Sequence, residues 1–160
     1  MMIRQLEARD NRSLAELIRV VMTEFECAGP GFSINDPEME DLYAGYSQPR
    51  SGYYLLVDDK DYIMGGAGFA PLAGGDRDTC ELRKMYFDPE ARGQGWGQVI
   101  LELIEAQAAR QDYKKVYLET VARMSGAGRL YQAAGYRKLD GPMGDTGHHG
   151  SCELFYLKEI

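Results

Sequence analysis

Apolar positions first recur at helical spacing. Leu14, Leu17, Ile18, Val21, Met22 and Phe25 stand at i, i+3, i+4, i+7, i+8 and i+11, one stripe of an amphipathic helix. Asp10 or Asn11 can cap its start, and Gly29-Pro30-Gly31 breaks the chain after it. Ile3 to Glu7 reads as a strand before it. Asn35-Asp36-Pro37 predicts a second, short helix: Asp36 is the cap, Pro37 takes the first turn, and Met39, Leu42, Tyr43 and Tyr46 form one apolar face. The period then changes. Tyr53 to Val57, Tyr62 to Leu72 and Thr79 to Phe87 are β-rich runs separated by Asp- and Gly-rich turns, which predicts three consecutive strands. Gly65, Gly66 and Gly68 inside the second run predict a bulge or a close backbone approach.

Helical spacing returns with Trp96, Val99, Ile100, Leu103 and Ile104 on one side of a helix ending near Asp112. Lys115 to Thr120 is a strand. It follows a strand–helix crossover, so it should lie parallel to the strand ending at Phe87. Ser125 to Ala134 forms a short helix closed by Gly135, and Tyr136 to Leu139 begins another strand. Asp140 to Gly150 is a Gly-rich loop, and Cys152 to Leu157 is the final strand. Together these elements predict an α/β (α+β) fold, with helices flanking a central twisted, mixed but mostly antiparallel sheet. Residues 1–160 read as one domain, a length that suffices for a hydrophobic core.

Composition narrows the class. The chain is 44% apolar and 27% charged, as in an ordinary globular protein, and no apolar run approaches the roughly 18 residues of a membrane span. The N-terminus lacks the form of a signal peptide, so the expected location is cytoplasmic, with no membrane partner. Three widely spaced cysteines, Cys27, Cys80 and Cys152, suggest neither a disulfide framework nor a metal site, and read as reduced packing residues. A net charge of −7 argues against a nucleic-acid partner. The charge is uneven: Val20 to Pro49 contains no Lys or Arg but has Glu24, Glu26, Asp36, Glu38, Glu40 and Asp41. Such a run is a solvated acidic face or a field that attracts a cationic substrate.

The candidate chemistry lies at Arg92-Gly93-Gln94-Gly95-Trp96-Gly97, between a strand and a helix. Glycines at alternate positions can take positive φ and turn successive N–H groups toward one point. The following helix adds its own unpaired N–H groups and positive dipole end, making a phosphate cradle. A P-loop would need Gly-Lys-Ser/Thr, which is absent. A dinucleotide fingerprint would need Gly or Ala where Gln98 stands.

A third pattern fits better. Arg92-x-x-Gly95-x-Gly97 resembles the pyrophosphate loop of the GNAT-family N-acetyltransferases. The neighbours resemble the family as well: Glu81-Leu82-x-x-Met85-Tyr86-Phe87-x-Pro89 before the loop, and Tyr131-x-x-x-Gly135-Tyr136 after the next strand. The order of elements agrees over essentially the whole chain. The resemblance implies a single-domain GNAT-type fold and acetyl-CoA as donor, with no metal. It implies that Met85, Tyr86 and Phe87 bind the pantetheine arm through backbone groups. Arg92, Gly93, Gln94, Gly95, Trp96, Gly97 and Gln98 would hold the pyrophosphate, mainly by N–H groups. Ser125 stands near a position where the family often has Asn, and would contact the cofactor.

The implied reaction is direct attack of a primary amine of a small molecule or peptide on the thioester, within a ternary complex. The leaving thiolate needs a proton and the amine must lose one. Tyr131 matches the family's general acid, and Glu81 matches a base position; Glu119 is a second candidate base. A protonated alkyl amine titrates at about 10.4, so its deprotonation needs help near neutral pH.

The alternatives are an acyl-CoA-binding sensor or interaction module without turnover, and an acyltransferase using another acyl-CoA or acceptor. The partners implied are acetyl-CoA and an amine acceptor, which the field of the acidic stretch would favour in cationic form. Many family members pair as homodimers. Within the acidic stretch, Glu24, Glu26, Tyr43 and Tyr46 are expected to face the acceptor. The loop with His148 and His149 reads as an exposed hairpin, or as a border of the acceptor site; no ligand set completes a metal site there.

Overall fold

The computed structural model describes residues 1–160. Seven strands form one sheet: β1 Met2–Gln5, β2 Gly52–Val57, β3 Ile63–Pro71, β4 Thr79–Phe87, β5 Lys115–Thr120, β6 Arg137–Lys138 and β7 Leu154–Glu159, in the order β1-β2-β3-β4-β5-β7-β6. Only β4 and β5 run parallel. The helices are α1 Asn11–Glu24, α2 Leu42–Tyr46, α3 Trp96–Arg110 and α4 Ser125–Ala133.

Period-two alternation sorts the strand side chains onto two faces. Leu56, Phe69, Leu82, Val116 and Leu118 pack with Ile100, Leu101 and Ile104 of α3 and Tyr131 of α4. Tyr53, Leu55 and Val57 pack with Leu14, Ile18 and Met22 of α1 and Leu42 and Tyr46 of α2. Where α1 and α2 do not reach, Tyr117, Phe155 and Leu157 are covered by Leu139, Met143 and Cys152. The loop after β6 therefore does the work of a helix on that face, and is not an exposed hairpin.

Several local expectations are corrected. The buried stripe of α3 is Ile100, Leu101, Ile104 and Ala108; Val99 is exposed. Its inner edge starts at Gly97, where an added Cβ would lie 3.1 Å from Leu130 Cδ2. Asp10 does not cap α1 with its side chain; Arg4 holds its carboxylate at 2.7 and 2.9 Å. Asp36 does not cap either, and the segment it precedes is a 3₁₀ turn, Pro37–Glu40, followed by α2 with Asp41 as its cap. Asp10 also accepts the Glu7 N–H at 2.9 Å, while the Asp36 carboxylate is held by Lys84 at 2.6 Å.

Of the β3 glycines, Gly65 makes room for the Phe87 ring, and Gly66 and Gly68 serve Tyr53. The β3–β4 register passes from Gly66↔Tyr86 to Gly68↔Arg83, so Lys84 and Met85 together oppose Ala67: a β-bulge in β4. Lys84 takes φ +50° there, and its carbonyl accepts from the Tyr53 hydroxyl at 2.7 Å. Room for the Tyr53 ring comes from Gly66 and Gly68. A Cβ on Gly66 would stand 2.7 Å from Tyr53 Cε1 and 2.7 Å from the Tyr54 carbonyl. Gly66→Ala is therefore expected to destabilise the fold by about 1–3 kcal/mol, the usual cost of overpacking. Denaturant unfolding checks this, and an unchanged midpoint would refute it.

Candidate active site

The β4–β5 ladder is short. Its register is Thr79↔Lys115, Cys80↔Val116 and Glu81↔Tyr117, and nothing pairs beyond. The bulge at Lys84–Met85 lies just past that point and bends β4 away from β5. The gap opens a groove of ≈ 480 Å³ lined by Met85, Tyr86 and Phe87 of β4, the loop after it, and Ala127, Leu130 and Tyr131 of α4.

Asp88 starts the loop by accepting from Glu90 N–H at 2.8 Å, which shapes the 3₁₀ turn Pro89–Ala91. Gly93 and Gly95 follow at φ +71° and +85°. Gly95 is the N-cap of α3. Five successive N–H groups, Gly93 to Gly97, find no backbone acceptor. They stand at the positive end of α3, and at Gly93 and Gly95 an added Cβ would meet nothing within 4 Å. This is an open anion cradle.

The predicted residues fall into two sets. Arg92, Gly93, Gly95, Gly97 and Gln98 line the groove with Met85, Tyr86 and Phe87. Gln94, Trp96 and Ser125 do not: Gln94 bonds the Glu90 carbonyl, Trp96 packs against the main core, and Ser125 is exposed beside lining residues Met124 and Gly126. Arg92 makes a bidentate pair with Glu24 of α1, both bonds 2.7 Å, and donates from Nε to the Phe87 carbonyl at 2.9 Å.

A second cavity, ≈ 80 Å³ and deeper, meets the groove along Met85, Tyr86, Met124, Ala127 and Tyr131. Tyr131 is 5% exposed; its ring packs on Tyr136 and Tyr156, and its hydroxyl has only the Met85 sulfur, at 3.8 Å. Burial pushes its phenol well above the usual value, so it stays protonated. Glu81 also lines this cavity. Burial raises its carboxyl pKa, opposed by Arg83, whose Nε lies 2.6 Å from Oε2. Glu119 accepts the Tyr117 hydroxyl on one oxygen at 2.8 Å and the Thr146 hydroxyl on the other at 2.9 Å. With both oxygens engaged, Glu119 anchors the loop after β6.

Sequence reasoning missed most of this cavity's polar wall. From the acidic stretch it is Met22, Cys27, Phe32, Ser33 and Asp36 that line it, not Glu24, Glu26, Tyr43 or Tyr46. Glu26 and Tyr43 are exposed, and Tyr46 is buried with its hydroxyl on Glu38. Lys84, 1% exposed in its side chain, pairs with Asp36 at 2.6 Å and Glu38 at 2.9 Å. His148 lines the cavity and meets Asp36 at 2.8 Å. His149 Nε2 lies 3.0 Å from Glu119 Oε1 but out of line for a hydrogen bond. On the cavity wall Asp36, Glu81 and Glu119 outnumber Arg83 and Lys84, and each cation is already paired, both of them also with Glu38 behind the wall. The cavity is acidic.

This sheet with one splayed parallel pair, a glycine cradle at its mouth and a tyrosine at its inner end defines an acyl-CoA-dependent acyltransferase scaffold. The sequence matches the Acetyltransferase (GNAT) family over residues 14–136, and the chain belongs to that family. It is 38% identical to the uncharacterised N-acetyltransferase YjgM of Escherichia coli K12, over 99% of this chain and 94% of that protein. Its fold is similar to a GNAT-family acetyltransferase of Staphylococcus aureus (TM-score 0.84, 21% identity, 99% and 98% of the two chains). It is also similar to a Sinorhizobium meliloti phosphinothricin acetyltransferase solved with AcCoA (TM-score 0.78, 16% identity, 99% and 88%). The chain is thus an N-acetyltransferase of the acyl-CoA-dependent kind.

Proposed function

We propose that this enzyme moves an acetyl group from acetyl-CoA to the primary amine of a small cationic acceptor, by direct attack in a ternary complex. One observation carries the reading. A cradle of five free N–H groups opens into a groove that meets, at Tyr131, a smaller cavity with a surplus of carboxylates on its wall. In this reading Gly93 to Gly97, with Arg92 and Gln98, bind the pyrophosphate. Met85 to Phe87 offer the pantetheine arm the backbone groups that β5 leaves unpaired, and Tyr131 protonates the departing thiolate. Glu81, with Oε1 free of Arg83, attracts the acceptor ammonium, and is one of two side chains in the cavity able to receive its proton.

The charge distribution favours a cationic acceptor over an amino diacid. Neither Arg83 nor Lys84 is free to meet a substrate carboxylate, and the surplus is negative. The cavity holds only a handful of atoms beyond the thioester, which suits an alkyl amine end. Thiol release from acetyl-CoA is expected with diamines and other cationic primary amines. It should be weaker with amino acids that carry an α-carboxylate, and kcat/KM should fall with added salt. Acetyl-CoA binding without thiol release for any amine would overturn the reading in favour of a sensor.

A further inference from the structure

His148 stands outside every motif that pointed to the active site, yet the loop after β6 carries it into the acceptor cavity. Two elements distant in sequence meet there: Asp36, before the 3₁₀ turn, and His148, 112 residues later. The carboxylate is committed as an anion. Burial would raise Asp36, but His148 and Lys84 outweigh it and hold its carboxyl below the usual range. An ionised carboxylate only accepts, so the Asp36 contact fixes the proton of neutral His148 on Nε2. Nδ1 then carries a lone pair and has no protein partner. The ring is half-buried, with 16% of its side chain exposed, and shares the cavity wall with Glu81 and Tyr131.

We propose that His148, oriented by Asp36, is the base that takes the acceptor's proton on Nδ1. This rests on the acetyl-transfer reading above. The ammonium N–H bond breaks as Nδ1–H forms, and the freed lone pair attacks the thioester carbonyl carbon. The C–S bond breaks, and the thiolate takes the Tyr131 hydroxyl proton. The second proton of the new amide nitrogen replaces the one Tyr131 gave, and the imidazolium returns its proton to water.

Glu81 is the competing base. Burial raises the Glu81 carboxyl, but Arg83 holds one of its oxygens at 2.6 Å and opposes the rise, whereas an imidazole ordinarily titrates at about 6.5, and base efficiency favours the group nearer the working pH. Asp36 raises His148 further, against the opposing effect of burial, and Glu81 adds to the rise while Lys84 opposes it. The other charges around the cavity are Glu38, Arg83 and Glu119.

The test is the pH dependence of kcat/KM for acetyl-CoA with a productive amine, in wild type, His148→Gln, Asp36→Asn and Glu81→Gln. Wild type should rise with pH to a plateau set by His148. His148→Gln should lose about 10²-fold at neutral pH, the scale of general-base catalysis, and lose the inflection, with coenzyme affinity unchanged. Imidazole should rescue His148→Gly. Asp36→Asn should move the inflection to lower pH, because it removes the anion that favours the imidazolium. Glu81→Gln should keep an inflection, moved to lower pH by less than in Asp36→Asn, because Glu81 adds only part of the rise of His148. If His148→Gln retains both rate and inflection, or if Glu81→Gln loses the inflection, the base role falls while acetyl transfer stands. If wild type releases no thiol with any amine, acetyl transfer falls and the base role with it.

Discussion

Tyr131→Phe is expected to lower kcat by about 10²-fold or more, the scale of a lost general acid, while acetyl-CoA binds as before. That factor corresponds to about 2.7 kcal/mol of transition-state stabilisation. The reason is local. The Tyr131 ring is held by Tyr136 and Tyr156, with centroids at 5.8 and 6.1 Å, and phenylalanine keeps that packing. The hydroxyl contributes little to the resting fold, since its only neighbour is a weak sulfur acceptor at 3.8 Å. Burial keeps the phenol protonated over the whole working range, so its loss should scale the pH profile down without moving its inflection. Steady-state kinetics with calorimetric binding of coenzyme A separates the two parameters. An unchanged kcat would remove Tyr131 as the acid, and a lost affinity would make it a packing residue of the groove.

Most of the sheet could be read from the chain because its signals are local. β4 and β5 begin and end at the predicted residues, Thr79–Phe87 and Lys115–Thr120, since each is a β-rich run bounded by turn formers. The parallel pairing of these two strands followed from the helix between them. The α3 face was misread at Val99, which hydrophobicity places on the stripe but which is exposed, and at Ala108, which it leaves off. What orients the helix is Gly97, whose lack of a side chain lets α4 approach. No apolar pattern records an absent side chain.

The two halves of the site differ for the same reason. The coenzyme half follows from contiguous residues, Met85–Phe87 and Arg92–Gln98, whose spacing is itself the geometry. The acceptor half is assembled across the sequence: Asp36, Glu81, Lys84, Glu119 and His148 come from two loops and two strands. Asp36 read as a helix cap and the His148 loop as an exposed hairpin or a border of the acceptor site, and only the tertiary pairing brings the two residues together. One signal was available. A stretch with six carboxylates and no Lys or Arg must find its cations elsewhere in the fold, and Arg83 and Lys84 lie in the motif strand with Arg92 in the loop after it.

Gly95→Val is expected to cost about 10²-fold in acetyl-CoA affinity, through two separate effects. Gly95 sits at φ +85°, where a residue with a Cβ is strained by about 1–2 kcal/mol and a β-branched one by more. Relief of that strain would turn the peptides on either side, and with them the N–H groups of Gly95 and Trp96, away from the common point. The new side chain would also project into open space at the cradle, since no protein atom lies within 4 Å of the Cβ position, and would cover the surface an anion must reach. Each 1.4 kcal/mol lost is about tenfold in affinity, so strain and obstruction together reach the stated factor. The open surroundings limit the damage to the fold: the variant should unfold within a few degrees of wild type, but its melting temperature should respond far less to added coenzyme A. Gly97→Val makes the contrast. Its Cβ would press on Leu130 at 3.1 Å, so it should lose stability by forcing α3 and α4 apart, as well as binding. Calorimetry and thermal melts with and without coenzyme A check both, and wild-type affinity in Gly95→Val would refute the cradle.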